Sequence, residues 1–238
     1  MKAPSGPDEW KEIAKGVVLL AVCDANYKFT LVDIGQAGSQ SDGGTFEASE
    51  FGKAFLLGQI NLPAPVCLPH ETGNPMPFVL VGDEAFPLKP NLLRPYPGKQ
   101  LDCNAKQIFN YRLSRACRVI ENSFGILAQR WRLLFRTIIA EPEKAALLVK
   151  AICVLHNMLR TVGDPSYTPP GFADSIAPDG HLCNGFWQRQ SNAELESAVR
   201  LAGRNSTAEA ISVCQHFTEY FVSEHGSVEW QWAYINQR

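Results

Sequence analysis

Apolar residues recur three or four positions apart along one stretch of the chain, at Leu113, Cys117, Ile120, Phe124, Leu127, Trp131 and Leu134. That is the spacing of one helix face, so the pattern predicts a core helix centred on Asn110 to Gly125. Upstream, Gly16 to Cys23 (GVVLLAVC) is a continuous aliphatic run of strand length, which predicts a strand buried on both faces. Asp24, Ala25 and Asn26 are turn formers and Tyr27 to Ile34 alternates in part, so the two runs predict a hairpin. Residues 1 to 15 read as irregular, Gly35 to Gly44 as a polar loop, and Phe46 to Leu57 as a helix capped near Ser49. Phe78 to Val81 is a short apolar run followed by Gly82 and Asp83, which predicts a buried strand with a carboxylate at its end. Pro87, Pro90, Pro95 and Pro97 exclude a regular element before Asp102.

From Glu141 to about Arg160 the chain is apolar nearly all round a helix, which predicts a buried or sandwiched element. His156 and Asn157 within it read as hydrogen-bonded core residues rather than ligands. Pro165, Pro169, Pro170 and Pro178 mark residues 163 to 190 as a long surface loop or disordered spacer. Ser206 with Glu209 makes a capping box for a last helix to about Val222, and VEWQWAYI near the end predicts an edge strand or tryptophans packed on the core. The domain reading is therefore a core over 1–162, a loop or spacer over 163–190, and a C-terminal helix and tail over 191–238 that pack on the core.

At 238 residues, 45% hydrophobic and 19% charged, the chain suits one sizeable core and an ordinary soluble globular class. The net charge of -2 gives no sign of a nucleic-acid partner. The local balance differs: residues 104 to 137 hold seven Lys or Arg against one acid, Glu121, a balance of +6. Glu121 either pairs with Arg118 one turn away, or holds a divalent cation among arginines that face phosphates. Asp83 taken alone reads as a turn or cap residue.

Seven cysteines without a C-x-x-C pair imply reduced thiols in an intracellular compartment. Cys67 with His70 and His181 with Cys183 lack zinc-finger spacing. The N-terminus lacks the apolar run of a signal peptide, and no stretch has the continuous apolar length of a membrane span. No internal repeat, phosphate-binding G-x-x-x-x-G-K loop or G-x-S-x-G elbow is present.

Four blocks in order, VVLLAVCDANYKFTLVDIGQAGSQSDGGTFEASEF, FVLVGDEAFPL, FNYRLSRACRVIENSFGILAQRW and VLHNML, resemble the DDE nuclease domain of PIF/Harbinger transposases and the host nucleases derived from them. The resemblance runs from about Lys15 to Arg160, and HFTEYFVSEHGSVEWQ is similar to the end of such proteins. It implies an α/β, ribonuclease-H-like fold with a mixed sheet flanked by helices, a DNA substrate, Mg2+ or Mn2+, and a nuclear setting. It also implies roles, with Asp83 as the second catalytic Asp and Glu121 as the catalytic Glu, 37 residues between them, both as metal ligands. Converging acidic oxygens suit phosphodiester chemistry, in which metal ions activate the nucleophile and stabilise the leaving oxygen. Arg112, Arg115 and Arg118 would hold the DNA backbone, contacts that carry no sequence information.

In the family the first catalytic Asp lies in an Asp-Gly-x-His-like segment ahead of a stretch resembling Lys2, Ala3 and Pro4. The sequence begins at Met1, so the expectation is a core without the first strand and first acid, and without a helix-turn-helix ahead of it. A separate DNA-reading partner would supply recognition. Asp24, Asp33 and Asp42 are the nearby acids that could replace the lost ligand. The resulting expectation is a DDE nuclease impaired by that loss; the alternative is a catalytically inactive, domesticated or degenerate protein that binds DNA or a partner.

Overall fold

The computed structural model describes residues 17–37, 42–136, 138–177, 181–190 and 206–236. The irregular stretch expected over 1–15 lies outside these residues. Strands β1 (Val17–Cys23) and β2 (Phe29–Ala37) form the expected antiparallel hairpin. Asp24 closes its turn, its Oδ1 accepting from the N–H groups of Asn26 at 2.8 Å and Lys28 at 2.9 Å. β1 is half-buried along Val18 to Cys23 rather than enclosed. Leu19 and Ala21 pack towards Phe29 and Leu20 packs towards Phe46, so both faces are covered incompletely. Among the described residues β1 pairs with β2 alone.

The single helix expected after the loop is two, α1 (Asp42–Ala48) and α2 (Glu50–Leu56), and α1 begins inside the expected loop. Ser49 joins them: its Oγ donates to the Phe46 carbonyl at 2.7 Å and accepts from Gly52 N–H at 2.9 Å. A Cβ at Gly52 would stand 1.7 Å from the Phe46 carbonyl oxygen, so only glycine permits so tight a fold-back. Asp33 ties β2 to this pair by accepting from Glu50 N–H at 3.0 Å.

Strands β3 (Leu80–Val81) and β4 (Leu92–Leu93) pair in parallel. The second of these lies in the stretch where the prolines were expected to exclude any element. Pro90 and Pro95 flank β4 instead of occupying it, so its own N–H groups stay available. Helix α3 (Asn104–Arg130) is the axis of the molecule. Its Phe109 and Leu113 join Met76, Leu93 and Phe217, its Leu127 joins Phe29 and Ile152, and its Ile126 joins Tyr167 and Phe172. The apolar stripe outlasts the helix, since Trp131 and Leu134 still pack inward through the short 3-10 turn Arg132–Phe135.

Helix α4 (Pro142–Val162) contradicts the expectation of burial all round. Ala145, Val149, Ile152, Cys153 and His156 are buried against the hairpin and α3, while Leu147, Leu148, Val154, Leu155 and Met158 are exposed. His156 and Asn157 are core residues, as expected. The two ring nitrogens of His156 lie 2.6 Å from Tyr167 Oη and 2.6 Å from the Tyr27 carbonyl. The carbonyl can only accept, so Nε2 carries the proton and Nδ1 accepts from Tyr167. Asn157 bonds both backbone groups of Phe29, donating at 2.7 Å and accepting at 2.8 Å. By length and composition α4 would also cross a bilayer, but a core helix passes the same test.

The described residues of the expected loop or spacer, 163–177 and 181–190, form a packed segment with an antiparallel pair of β5 (Ser175–Ile176) and β6 (Leu182–Cys183) and a short helix α5 (Phe186–Gln190). Tyr167 and Phe172 bury in one cluster with Ile126, and Trp187 packs against it, which a solvated spacer has no means to do. Helix α6 (Ala208–Tyr220) starts one residue later than expected, with Thr207 Oγ1 accepting from Ala210 N–H at 3.2 Å. The final segment is a helix, α7 (Glu229–Asn236), not an edge strand, because Gln231 buries fully and bonds the Phe221 carbonyl at 2.8 Å. The class is α/β, with the strands of the described residues in three two-stranded sheets rather than one mixed sheet.

Burial pushes the His156 imidazole below its ordinary range, against the opposing bond to Tyr27 and with a further push from Arg160. A folded pKa below the unfolded one means stability is complete above about pH 6.5 and falls as pH drops towards the folded value, by at most about 1.4 kcal/mol per pH unit. Urea melts between pH 7.5 and 5 should show this slope in the wild type and a shallower one in His156→Gln. Equal slopes would show that His156 does not control acid stability.

Candidate active site

Asp83 follows β3 and is set by three local features. Gly82 N–H extends the β3–β4 pairing by donating to the Leu93 carbonyl at 2.9 Å. The ring of Phe86 lies over Gly82, where a Cβ would stand 2.8 Å from it, so the chain turns sharply at that point. Asp83 Oδ1 then accepts from Ala85 N–H at 2.8 Å, and Arg94 Nη1 donates to the Phe86 carbonyl at 3.2 Å to hold the far side of the turn. The turn-residue reading of Asp83 is thus correct, and it leaves the carboxylate exposed with its other oxygen free of this turn contact.

Glu121 projects from α3 one turn beyond Cys117. Its side chain and that of Asp83 line one open cleft of about 230 Å3, with Arg118, Ser114, Leu113, Cys117 and Pro95 completing the wall. Two acids separated by 37 residues of sequence are therefore brought to one place by the packing of β3 on α3. Burial pushes the Glu121 carboxyl above the usual carboxylate range; Arg118 opposes the shift and Asp174 adds to it. The Cys117 thiol is pushed up to about 11, first by burial and then by the charges of Asp83 and Glu121, so it stays protonated and offers no thiolate.

The three arginines divide. Arg118 lines the cleft, and its Nη1 lies 3.5 Å from Oδ2 of the buried Asp174. Arg112 donates to Gln231 Oε1 at 3.1 Å and stands 4.5 Å from the Phe221 ring centre. Arg115 lies 3.9 Å from the Trp230 ring centre and donates to Tyr111 Oη at 2.7 Å. Arg112 and Arg115 thus seat α7 on α3. Two of the alternative acids are engaged elsewhere, Asp24 closing the hairpin turn and Asp33 accepting from Glu50 N–H, while Asp42 is the first residue of α1. Among the described residues no three of His, Cys, Asp and Glu come together as a metal cluster.

The sequence profile of the family described as DDE superfamily endonuclease matches residues 9–157, a span that includes both cleft acids. The chain belongs to the DDE superfamily endonucleases. As a DDE family member it is 30% identical over 197 residues to "Protein ALP1-like" of Arabidopsis thaliana, covering 81% of this chain and 47% of that protein. It is 29% identical over 176 residues to "Putative nuclease HARBI1" of Mus musculus, covering 71% of this chain and 46% of the relative. The chain thus spans about half the length of the curated relatives it matches. No solved structure gives a significant match. DDE superfamily endonucleases generally use divalent metal ions.

Some determinants of this DDE cleft escape sequence reading. Asp174 comes from the loop after the matched segment, yet its carboxylate accepts from Gly185 N–H at 2.7 Å and from Gln188 at 3.0 Å while facing Arg118. Asn122, next to Glu121 and buried, accepts from Asp174 N–H at 3.0 Å and from Trp187 Nε1 at 2.8 Å. The available signals were a glycine inside a strong helix and three large aromatics, Tyr167, Phe172 and Trp187, in a supposed spacer. Gly125 explains the first, because a Cβ there would stand 2.4 Å from the Trp187 ring.

Gly125→Ala should therefore destabilise the protein by about 1–3 kcal/mol through overpacking, reduced by the roughly 1 kcal/mol that alanine contributes to helix propensity. A lower melting temperature with red-shifted tryptophan fluorescence is the expected result. A higher melting temperature would show that Trp187 does not rest on α3.

Proposed function

We propose that this chain is the phosphodiester-directed core of a DNA endonuclease, in which Asp83 and Glu121 hold a Mg2+ or Mn2+ ion at the cleft. The observation that carries the reading is the convergence of these two acids, one after β3 and one on α3, on a single open cleft beside Arg118. The donor set fits the ion: both side chains offer hard oxygens, and magnesium keeps several waters and takes only one or two carboxylates plus substrate phosphate. When bound, such an ion polarises a phosphoryl oxygen and makes a coordinated water more acidic.

The remaining work falls to the chain itself. Arg118 presents a guanidinium to a phosphate entering the cleft, and Asp174 orients it from behind. Arg112 and Arg115 reach a DNA backbone only from their seats against α7, so their share of DNA binding is secondary to that of Arg118. The setting is nuclear, and DNA reading rests with a separate partner.

A second reading is favoured by the ligand count, since the described residues bring two acids and no third to the cleft. In it, the chain binds DNA or a partner without cutting.

Titration with Mn2+ and a supercoiled-plasmid nicking assay distinguish these. Glu121→Gln and Asp83→Asn, the latter able to keep the bond to Ala85, should each weaken Mn2+ binding by at least the ~10–100-fold that loss of even an outer-sphere partner produces. Metal-dependent nicking by the wild type, absent in both variants, supports the nuclease; Mn2+ binding without nicking supports the second reading. Unchanged Mn2+ affinity in both variants would remove the two acids from the site.

A further inference from the structure

The outer face of α4 is unusual for a helix whose other face is already core. Leu147 is 66% exposed, Val154 64% and Val162 72%, and Leu148, Leu155 and Met158 are exposed beside them. Ile139, just before the helix, is 98% exposed. A contiguous apolar stripe along a 21-residue helix is too large to be scattered surface hydrophobicity.

The arrangement of the stripe points to its occupant. It is nearly symmetric in sequence about Ala151, with Leu147 and Leu155 four residues to either side and Leu148 and Val154 three to either side. At about 100° per residue, positions four before and four after Ala151 fall about 40° to opposite sides of the midline, and positions three away fall about 60° to opposite sides. A two-fold axis crossing the stripe at Ala151 therefore puts Leu147 of one chain level with Leu155 of the other, on opposite sides of the seam. The side chains interleave instead of colliding, which is the self-complementarity an isologous interface requires. Met158 meets the aliphatic stem of Lys144, seven residues from the axis on the other side. Ile139 and Val162, twelve before and eleven after Ala151, extend the contact at each end. The small Ala151 sits where the two helices come closest, and antiparallel helix dipoles attract.

We infer that the outer face of α4 is a self-association surface, on which a second copy of this chain packs its own α4 antiparallel across a two-fold axis at Ala151. The inference is independent of the nuclease reading. The helix is about 30 Å long, and one face of it falls short of the roughly 800 Å2 per partner of a standard interface, so the dimer is reversible and concentration-dependent.

Sedimentation velocity on the whole chain, run up to hundreds of micromolar, tests this. The wild type should shift from monomer to dimer as concentration rises. Leu147→Lys and Leu155→Glu singly should each raise the dimer dissociation constant about tenfold or more, since each sets a charge against an apolar partner. The double variant should recover dimerisation, because Lys and Glu then face each other across the axis at two equivalent positions. These side chains point to solvent in the monomer, and circular dichroism reports whether each variant keeps the fold. Ala151→Glu, which opposes two like charges at the axis, gives the same reading should either single variant unfold. A wild type that stays monomeric throughout, a dimer indifferent to all these substitutions, or singles that dissociate without rescue in the double variant would each overturn the proposal. So would a monomer whose α4 face binds phosphatidylcholine vesicles, which would assign the stripe to lipid.

Discussion

Helix α3 has to satisfy hydrophobic packing in three directions along its length, and that constraint organises the molecule. Its first turns meet α6, its middle and end meet the hairpin and α4, and Ile126 meets the aromatic loop before α5. Between these contacts Ser114, Arg118 and Glu121 share one face of the helix and line the cleft. The cleft exists where the packing stops. Because β3 also leans on α3, the residue after β3 arrives at the same face.

Within that frame, the buried amide of Asn122 couples structure to electrostatics. Its carbonyl oxygen receives both the Trp187 indole and the Asp174 backbone, so the loop that carries Asp174 can dock in only one register. Hydrogen bonds in so dry a setting are strong, and leaving either donor unpaired would be costly. Asp174 then stands behind Arg118, and both shape the environment of Glu121: one charge favours its protonation and the other opposes it. A loop outside the segment that matches the family thereby tunes an acid inside it.

The two long helices illustrate how charge and hydrophobicity mislead when read separately. Three arginines on α3 form one basic pattern, yet aromatic rings of the C-terminal segment take up Arg112 and Arg115 while Arg118 alone borders the cleft. Guanidinium groups stack on rings as readily as they meet phosphate, and sequence periodicity does not distinguish the two. On α4 the reverse applies, since an all-round apolar composition suggests enclosure whereas the fold covers only one side.

What the sequence determined by itself was local or held in common with the family. The hairpin with its Asp24 turn, the α3 stripe, the Ser49 cap, and the pairing of His156 and Asn157 with the core all follow from spacing and side-chain chemistry within one element. The two cleft acids were legible through resemblance, because their flanking blocks run in the same order as those of related nucleases. Only the tertiary structure decided that Asp83 and Glu121 share a cleft, that Asp174 and Asn122 govern it, that α4 shows one apolar face to solvent, and that the strands form separate pairs. Each of these depends on contacts between residues far apart in sequence, where the free energy lies in which surfaces meet, and no pattern within a single segment carries that information.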